Sequence, residues 1–460
     1  MTGPAAEPGA RPAAVGPDAA ALLRSYRIRA FVSTWTCYAG LYFCRKAFYV
    51  VKPELTAKVG LSASTLANVG VVYLIAYAIG EFNSAAVGSR IGARRLLLTG
   101  MAISLGCNVA FGFANNAWTF MAFMALNGLA QATGWSGNVG TMAHWFRREE
   151  RGQVMGVWST CYQVGGALAS GSAAFLLGLA GWRWSFWGAS MVLGAVWLLF
   201  YALQRNRPED VGLAPLEEEA PKPAPSPTPA ADGSEPVDAA AGSRAAADAR
   251  REAASAPQGF NRQLIVTIVM MGTFYFFVKF IRYALWSWAP YFLKLNFGLA
   301  SDNAGYFSTL FDVFGFFGVI TAGFISDRVF KGRRTTISLI MMIGLTMSTV
   351  GLWVLGSESL LAFGISFSAV GFMLYGPDSL LTGAGAIDVG SRKYAIAAAG
   401  IINGMGSCGS VVQELVVGRM YDKNPTHLAP SLLALVLSAS VATALIVALA
   451  LRARRGLCNL

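Results

Sequence analysis

Charge is what this sequence has little of. Only 13% of its 460 residues are Asp, Glu, Lys or Arg, about half the share of an ordinary soluble protein. That excludes a water-soluble globular fold. Histidine is scarce too: the chain has two, and its six cysteines show no metal-ligand spacing, which argues against a metal centre. Cys37, Cys44, Cys107, Cys161 and Cys408 lie in apolar stretches, where a thiol behaves as a small hydrophobe. No nucleophile–base arrangement or phosphate-cradling glycine loop is present, so neither an enzyme nor a cofactor is expected. The first 25 residues are rich in Pro, Ala and Gly without the apolar core of a signal peptide.

Hydrophobic residues make up 55% of the chain, and several runs reach the roughly 20 residues that span a bilayer. Twelve spans can be drawn, near 28–51, 63–87, 95–114, 117–145, 153–180, 183–204, 263–293, 302–326, 335–355, 359–382, 394–418 and 430–451. Between the sixth and seventh lies a stretch rich in Pro, Ala and Glu with almost no branched or aromatic side chains, so it has no means of burying a core. The expected architecture is an all-α membrane protein of two six-helix bundles, 27–204 and 263–453. They would be flanked by a disordered tail (1–26), a mostly disordered linker (205–262) and a short C-terminal tail (454–460). The formal net charge of +12 does not point to nucleic acid, because the cations sit in short loops between spans. Arg90, Arg94 and Arg95, then Arg147, Arg148 and Arg151, Arg328 to Arg334, Arg392 with Lys393, and Arg452 to Arg455 follow alternate spans. The intervening loops are poor in cations, which places the basic loops and both termini in the cytoplasm.

The two halves carry related signatures. "GFISDRVFKGRR" (323–334) closes the second span of the later half and "AVGSRIGARR" (86–95) that of the earlier. This pattern resembles the cytoplasmic-loop motif of the major facilitator superfamily, with Ser89 standing where its acid would be. Longer stretches are similar to the organophosphate:phosphate antiporters within it. They are "CRKAFYVVKPEL" (44–55), "GWSGNVGTMAHWFRREERGQVMGVWSTCYQVGG" (134–166), "RNRPEDVGL" (205–213), "IRYALWSWAPYFL" (281–293) and "STLFDVFGFFGVITAGFISD" (308–327). The resemblance implies exchange of a phosphorylated metabolite, of the sugar phosphate or glycerol phosphate class, for inorganic phosphate. It also implies that Arg45 and Arg282, one from the first span of each half, hold the phosphate near mid-depth.

The residues read the same way unaided. A charge at the bilayer centre costs at least ~3 kcal/mol, yet Arg45 and Lys46 lie inside "LYFCRKAFYVV". A guanidinium offers a planar fork that fits phosphate oxygens and stays charged at any relevant pH. Tyr38, Tyr42 and Arg45 recur at spacings of four and three and share one helical stripe; Lys279 and Arg282 share another. Further lining candidates are Lys46, Trp135, Tyr162, Glu81, Asp312 and Asn403, with Asn138, Gln163 and Ser407 behind them. A plainer reading stays open: Arg45 paired with a fixed carboxylate, Glu81 or Asp312. Glu414 and Arg419, near the outer end of the eleventh span, are expected to be structural.

Departures from the family pattern fall in the site. Glu81 stands where the bacterial exchangers carry Lys, Lys279 where they carry Tyr, Tyr162 where the glycerol-phosphate exchanger has His, and Ser407 where it has Tyr. Alternating access of two halves about a midplane site is expected, with Asp327, Arg328 and Arg333 in a cytoplasmic gate. Expected partners are the phosphorylated substrate, inorganic phosphate and lipid, around a monomer in a cell membrane of the bacterial inner type. Two other functions stay open: a membrane sensor of a sugar phosphate, and a facilitator for another organic anion such as a phosphonate or carboxylate.

Overall fold

The computed structural model describes residues 17–214, 216, 262–330, 334–380, 395–423 and 428–455. Among the described residues the chain is helical and contains no strand. The first half holds α1 (Pro17–Glu54), α2 (Ala63–Ile91), α3 (Ala93–Phe111), α4 (Ala117–Gln131), α5 (Thr133–Trp145), α6 (Arg148–Trp158), α7 (Cys161–Ala180) and α8 (Trp182–Leu203). The second holds α9 (Arg262–Phe297), α10 (Ser301–Arg328), α11 (Arg334–Leu355), α12 (Leu360–Ser379), α13 (Ala395–Lys423) and α14 (Ala429–Arg454).

Local chemistry explains where these helices start and break. Side-chain oxygens of Ser62, Asn116 and Ser359 accept the amides of Thr65, Thr119 and Ala362, so α2, α4 and α12 begin on satisfied caps. The stretches 117–145 and 153–180, each expected to be one span, are interrupted at Ala132 and at Ser159–Thr160. Hydroxyls compete with the helical ladder at both breaks. Thr133 donates to the Ala130 carbonyl at 2.7 Å, Ser159 to Gly156 at 2.8 Å and Thr160 to Val157 at 2.7 Å.

The surface is apolar and part of the interior is charged, the reverse of a soluble fold. Leu361, Met347 and Trp118 are exposed, whereas Arg45, Lys46, Lys52, Asp312 and Glu414 are buried. Eight described helical stretches are long and apolar enough to cross a membrane. Within each half, backbones approach closely where glycine allows it: a Cβ on Gly409 would strike the Phe276 carbonyl oxygen, binding α13 to α9.

The halves meet through α7 against α10, α2 against α13, and α1 against α9. Polar contacts between them gather at the end that carries the α1–α2 turn, where Gly60 takes φ 77°. There Lys52 Nζ lies 3.2 Å from Glu414 Oε2, and Glu54 accepts Lys294 and Ser301, both at 2.6 Å. The Ser64 amide donates to both Asp422 carboxylate oxygens at 3.2 Å.

Two segment boundaries differ from expectation. The tail expected to be disordered over 1–26 is already helical from Pro17, because "AAALL" is built from the strongest helix formers. Tyr26 also stacks on Trp145 with centroids 5.8 Å apart, and Arg27 pairs with Glu150 at 3.0 Å. The linker expected over 205–262 starts as an ordered turn. Trp145 Nε1 donates to the Arg205 carbonyl at 3.1 Å, the Arg94 amide to Asn206 Oδ1 at 2.8 Å, and Pro208 is buried. Residues 217–261 of the linker, 1–16 of the tail, 456–460 and the Arg392–Lys393 loop lie outside the described residues.

Candidate functional site

The stripe expected on α1 forms. The Tyr38 and Tyr42 rings are 6.0 Å apart, and the Arg45 guanidinium lies 5.0 Å from the centre of the Tyr42 ring. Tyr73 and Tyr77 of α2 close over the same guanidinium at 5.6 and 5.1 Å. Arg45 Nε donates to Gln131 Oε1 at 3.0 Å, and the Tyr73 hydroxyl donates to the same oxygen at 3.1 Å. The Gln131 amide donates onward to Ser104 at 3.1 Å, and Asn127 donates to the Cys44 carbonyl at 3.2 Å. This scaffold holds Arg45 through neutral groups and tyrosine faces. Among the described residues no carboxylate touches it, and most of the five guanidinium donors remain for a ligand.

Its neighbour in sequence is treated differently. Lys46 Nζ lies 3.0 Å from Asp312 Oδ2 with both side chains 2% exposed, and the Tyr375 hydroxyl donates to Asp312 Oδ1 at 2.8 Å. Lys46 Nζ also sits 3.9 Å from the Trp286 ring. The fixed-pair reading, weighed above for Arg45, therefore describes Lys46, whose partner comes from the opposite half. On α9, Arg282 Nη1 lies 2.6 Å from Asp378 Oδ2, and the guanidinium covers the Tyr375 ring at 4.6 Å. Lys279 Nζ finds neutral acceptors on α13, Asn403 Oδ1 at 3.0 Å and Ser407 Oγ at 3.3 Å. Glu81 lies one turn beyond Tyr77 on α2 and sits in the field of Lys279 and Arg45.

The structure brings these groups from both halves around Tyr42. That phenol interacts electrostatically with both Arg45 and Arg282, and its ring meets Trp286 at 6.4 Å. Next to the cations stands an aromatic wall. Tyr38 contacts Trp158 at 5.4 Å, Tyr162 at 5.1 Å and Trp135 at 6.2 Å. Trp135 is 42% exposed and Asn403 is also exposed, so the region opens away from the contacts that join the halves. Lys46–Asp312 and Arg282–Asp378 are each neutral as pairs. What is left is Arg45, Lys279 and Glu81, an excess of positive charge suited to an anion.

Other expectations fall elsewhere. Asn138 donates to the Gly134 carbonyl of its own helix at 2.8 Å. Glu414, expected to be structural, is bonded by Lys52 and, at 2.8 Å, by Trp288 Nε1. Of the gate, Arg328 lies over the Phe324 ring at 4.9 Å, apart from the site; the Asp327 side chain and Arg333 lie outside the described residues. Sequence reading did not anticipate Gln131, Tyr73, Tyr77, Trp286, Tyr375 or Asp378. A signal existed for three of them: Gln131 sits four residues after Asn127, and Tyr73 four before Tyr77, in otherwise apolar helices.

The sequence model of the Major Facilitator Superfamily matches residues 34–412. The chain belongs to the Major Facilitator Superfamily. It is thus a multi-pass membrane protein of a transporter superfamily. The resemblance to its organophosphate:phosphate antiporter type holds among curated relatives. The chain is 28% identical to the glycerol-3-phosphate transporter of Bacillus subtilis, over 88% of each protein. It is 27% identical to a probable hexose phosphate transport protein of Chlamydia pneumoniae, over 71% of this chain and 70% of that one. It is also 28% identical to the human sugar phosphate exchanger 3, over 78% of this chain and 74% of the other. A membrane sensor protein of Escherichia coli matches at 27%, over 72% of each. The superfamily fold is seen in the crystal structure of a bacterial homologue of the lysosomal transporter Spinster. It superposes with a TM-score of 0.65 at 16% identity and covers 92% of this chain and 94% of that one.

Proposed function

We propose that the protein exchanges a phosphorylated metabolite, of the sugar phosphate or glycerol phosphate class, for inorganic phosphate. One observation carries the reading: Arg45 on α1 and Lys279 on α9 are buried cations from opposite halves, both held by neutral partners. Burying such charges is costly unless an anion meets them. Arg282, bridging toward Asp378, is the third contact, and Tyr38, Tyr42, Trp135 and Tyr162 line the path of the organic group. The names of the curated relatives support the substrate class.

The proposed cycle is alternating access of two six-helix lobes, built from twelve membrane crossings with both termini in the cytoplasm of a bacterial-type inner membrane. In that orientation the contacts of Lys52, Glu54 and Ser64 seal the outer side, and the exposed Trp135 and Asn403 face inward. The protein acts as a monomer and catalyses no covalent chemistry. The test is counterflow in vesicles of purified protein. Labelled glucose 6-phosphate or glycerol 3-phosphate enters vesicles loaded with phosphate and not vesicles loaded with chloride. Equal uptake into both refutes exchange. Saturable binding without transport would favour the sensor reading, to which the matching Escherichia coli sensor gives weight, and competition by phosphonates or dicarboxylates alone would favour a facilitator for other anions.

A further inference from the structure

Glu81 is the site carboxylate that the paired charges leave unexplained. Asp312 is joined to Lys46 and Asp378 to Arg282, whereas among the described residues no cation touches Glu81. It is half-buried on α2, one turn from Tyr77, whose ring lies 5.1 Å from the Arg45 guanidinium, and it stands in the field of Lys279 and Arg45. These are also the two cations that the phosphate reading assigns to the anion. We infer that Glu81 couples transport to a proton: an arriving dianion takes over Lys279 and Arg45, and the Glu81 carboxylate, no longer offset by their field, is protonated.

Charge balance supports this, and the inference rests on the phosphate reading. Empty, the unpaired groups are Arg45, Lys279 and the Glu81 carboxylate. With a phosphate dianion bound beside an ionised Glu81, the interior would carry one negative charge without a partner. One proton moving from water onto a Glu81 oxygen restores neutrality, with no bond to phosphorus made or broken. A buried site strongly favours the neutral sum. Among the described residues the surroundings offer no competing counter-charge. α4 carries no ionisable group, and α5 only His144, in its last turn. α13 has no charged residue between Ala395 and Gln413. α3 contributes Arg94 and Arg95, in its first turn, where a Cβ on Gly88 would meet Leu96. On α2 the titratable neighbours are Tyr73 and Tyr77; α1 adds Arg45, Tyr38 and Tyr42; α9 adds Lys279, Arg282 and Tyr283.

The experiment measures half-saturation for inorganic phosphate by counterflow across the neutral range, in the wild type and Glu81→Gln. Phosphate's own titration is common to both, so the ratio of the two constants isolates Glu81. The ratio should rise with pH toward about tenfold per unit, the limit for one linked proton, and Glu81→Asp should retain a pH-dependent ratio. A flat ratio with transport intact overturns the inference and leaves the phosphate reading standing. Absence of phosphate counterflow in the wild type at every pH overturns both. If Glu81→Gln does not reach the membrane, calorimetry of wild-type phosphate binding decides. Run in two buffers of different ionisation heat, at a pH where phosphate is fully dianionic, it should detect close to one proton taken up per phosphate; none overturns the coupling.

Discussion

Arg45→Lys keeps the charge of the first-half cation and removes its fork, so it isolates geometry from electrostatics. In the wild type the guanidinium is held edge-on by Gln131 at 3.0 Å and packed between the rings of Tyr42, Tyr73 and Tyr77 at 5.0 to 5.6 Å. Lysine lacks the Nε donor that meets Gln131 and is a compact point charge. Two losses follow. The ammonium turns toward Gln131 or toward phosphate but does not reproduce both bonds, and the tyrosine faces lose a flat partner. A hydrogen bond to a charged group contributes about 1.5–3 kcal/mol, and each 1.4 kcal/mol is tenfold in affinity. Phosphate half-saturation should therefore rise by roughly ten- to a hundredfold. The assay is phosphate counterflow with surface-normalised protein, beside Gln131→Leu. That second change keeps the fork but unpins it and leaves Tyr73 and Ser104 without their acceptor and donor, so a smaller rise is expected. An Arg45→Lys constant within about twofold of wild type would show that Arg45 serves packing, and the anion site would have to be sought elsewhere.

Two further outcomes concern the contacts that join the halves. Lys52→Met strands Glu414, which is fully buried and keeps only the Trp288 N–H, and losing one partner of a buried pair costs about 3–5 kcal/mol. The joined state should weaken. In a background of Cys408→Ser and Cys458→Ser, a thiol placed by Ala67→Cys, now buried against Gly418, should label faster with an impermeant maleimide. An unchanged labelling rate contradicts the gate role. Glu54 lies past the last apolar residue of the first span. Burial alone would raise its pKa, but hydrogen bonds from Lys294 and Ser301 outweigh it and hold the carboxyl down from 4.5 to about 2. A depressed carboxylate pKa stabilises above the unfolded value and loses that contribution as pH falls through the folded one. The wild type should therefore lose thermal stability between about pH 4.5 and 2 in excess of Glu54→Gln; parallel curves would refute the contact.

The helices were legible because hydrocarbon imposes them: a run of about twenty apolar residues leaves the backbone no alternative to internal hydrogen bonds. Arg45 and Arg282 were legible for the converse reason, that a charge inside such a run stands out. The breaks at Ala132 and Ser159–Thr160 were not, since they depend on single hydroxyls whose other option is the ordinary ladder. Pairing was the least legible. Asp312 and Glu81 looked alike as carboxylates in apolar helices, and sequence distance gives no rule for which cation each would meet. Only the placement of α10 against α7 and α1 brings Asp312 to Lys46, while Glu81 on α2 meets no cation among the described residues.

That difference decides how the two halves communicate. Lys46–Asp312 crosses from one half to the other beneath Trp286, and Asp312 is bonded in turn by Tyr375, whose ring lies under Arg282. An anion that drew Arg282 away from Asp378 would disturb the Tyr375 ring and through it the acceptor of Lys46. About two helical turns further along α1, Lys52 and Glu54 make the contacts that join the halves. α1 thus carries Arg45, an inter-half ion pair and the contacts that join the halves on a single helix of about 57 Å. In the proposed cycle, anion binding and opening would be linked by short contacts along one helix. The linkage fails if Asp312→Asn, which leaves Lys46 its packing but not its charge partner, changes phosphate affinity without altering labelling at residue 67.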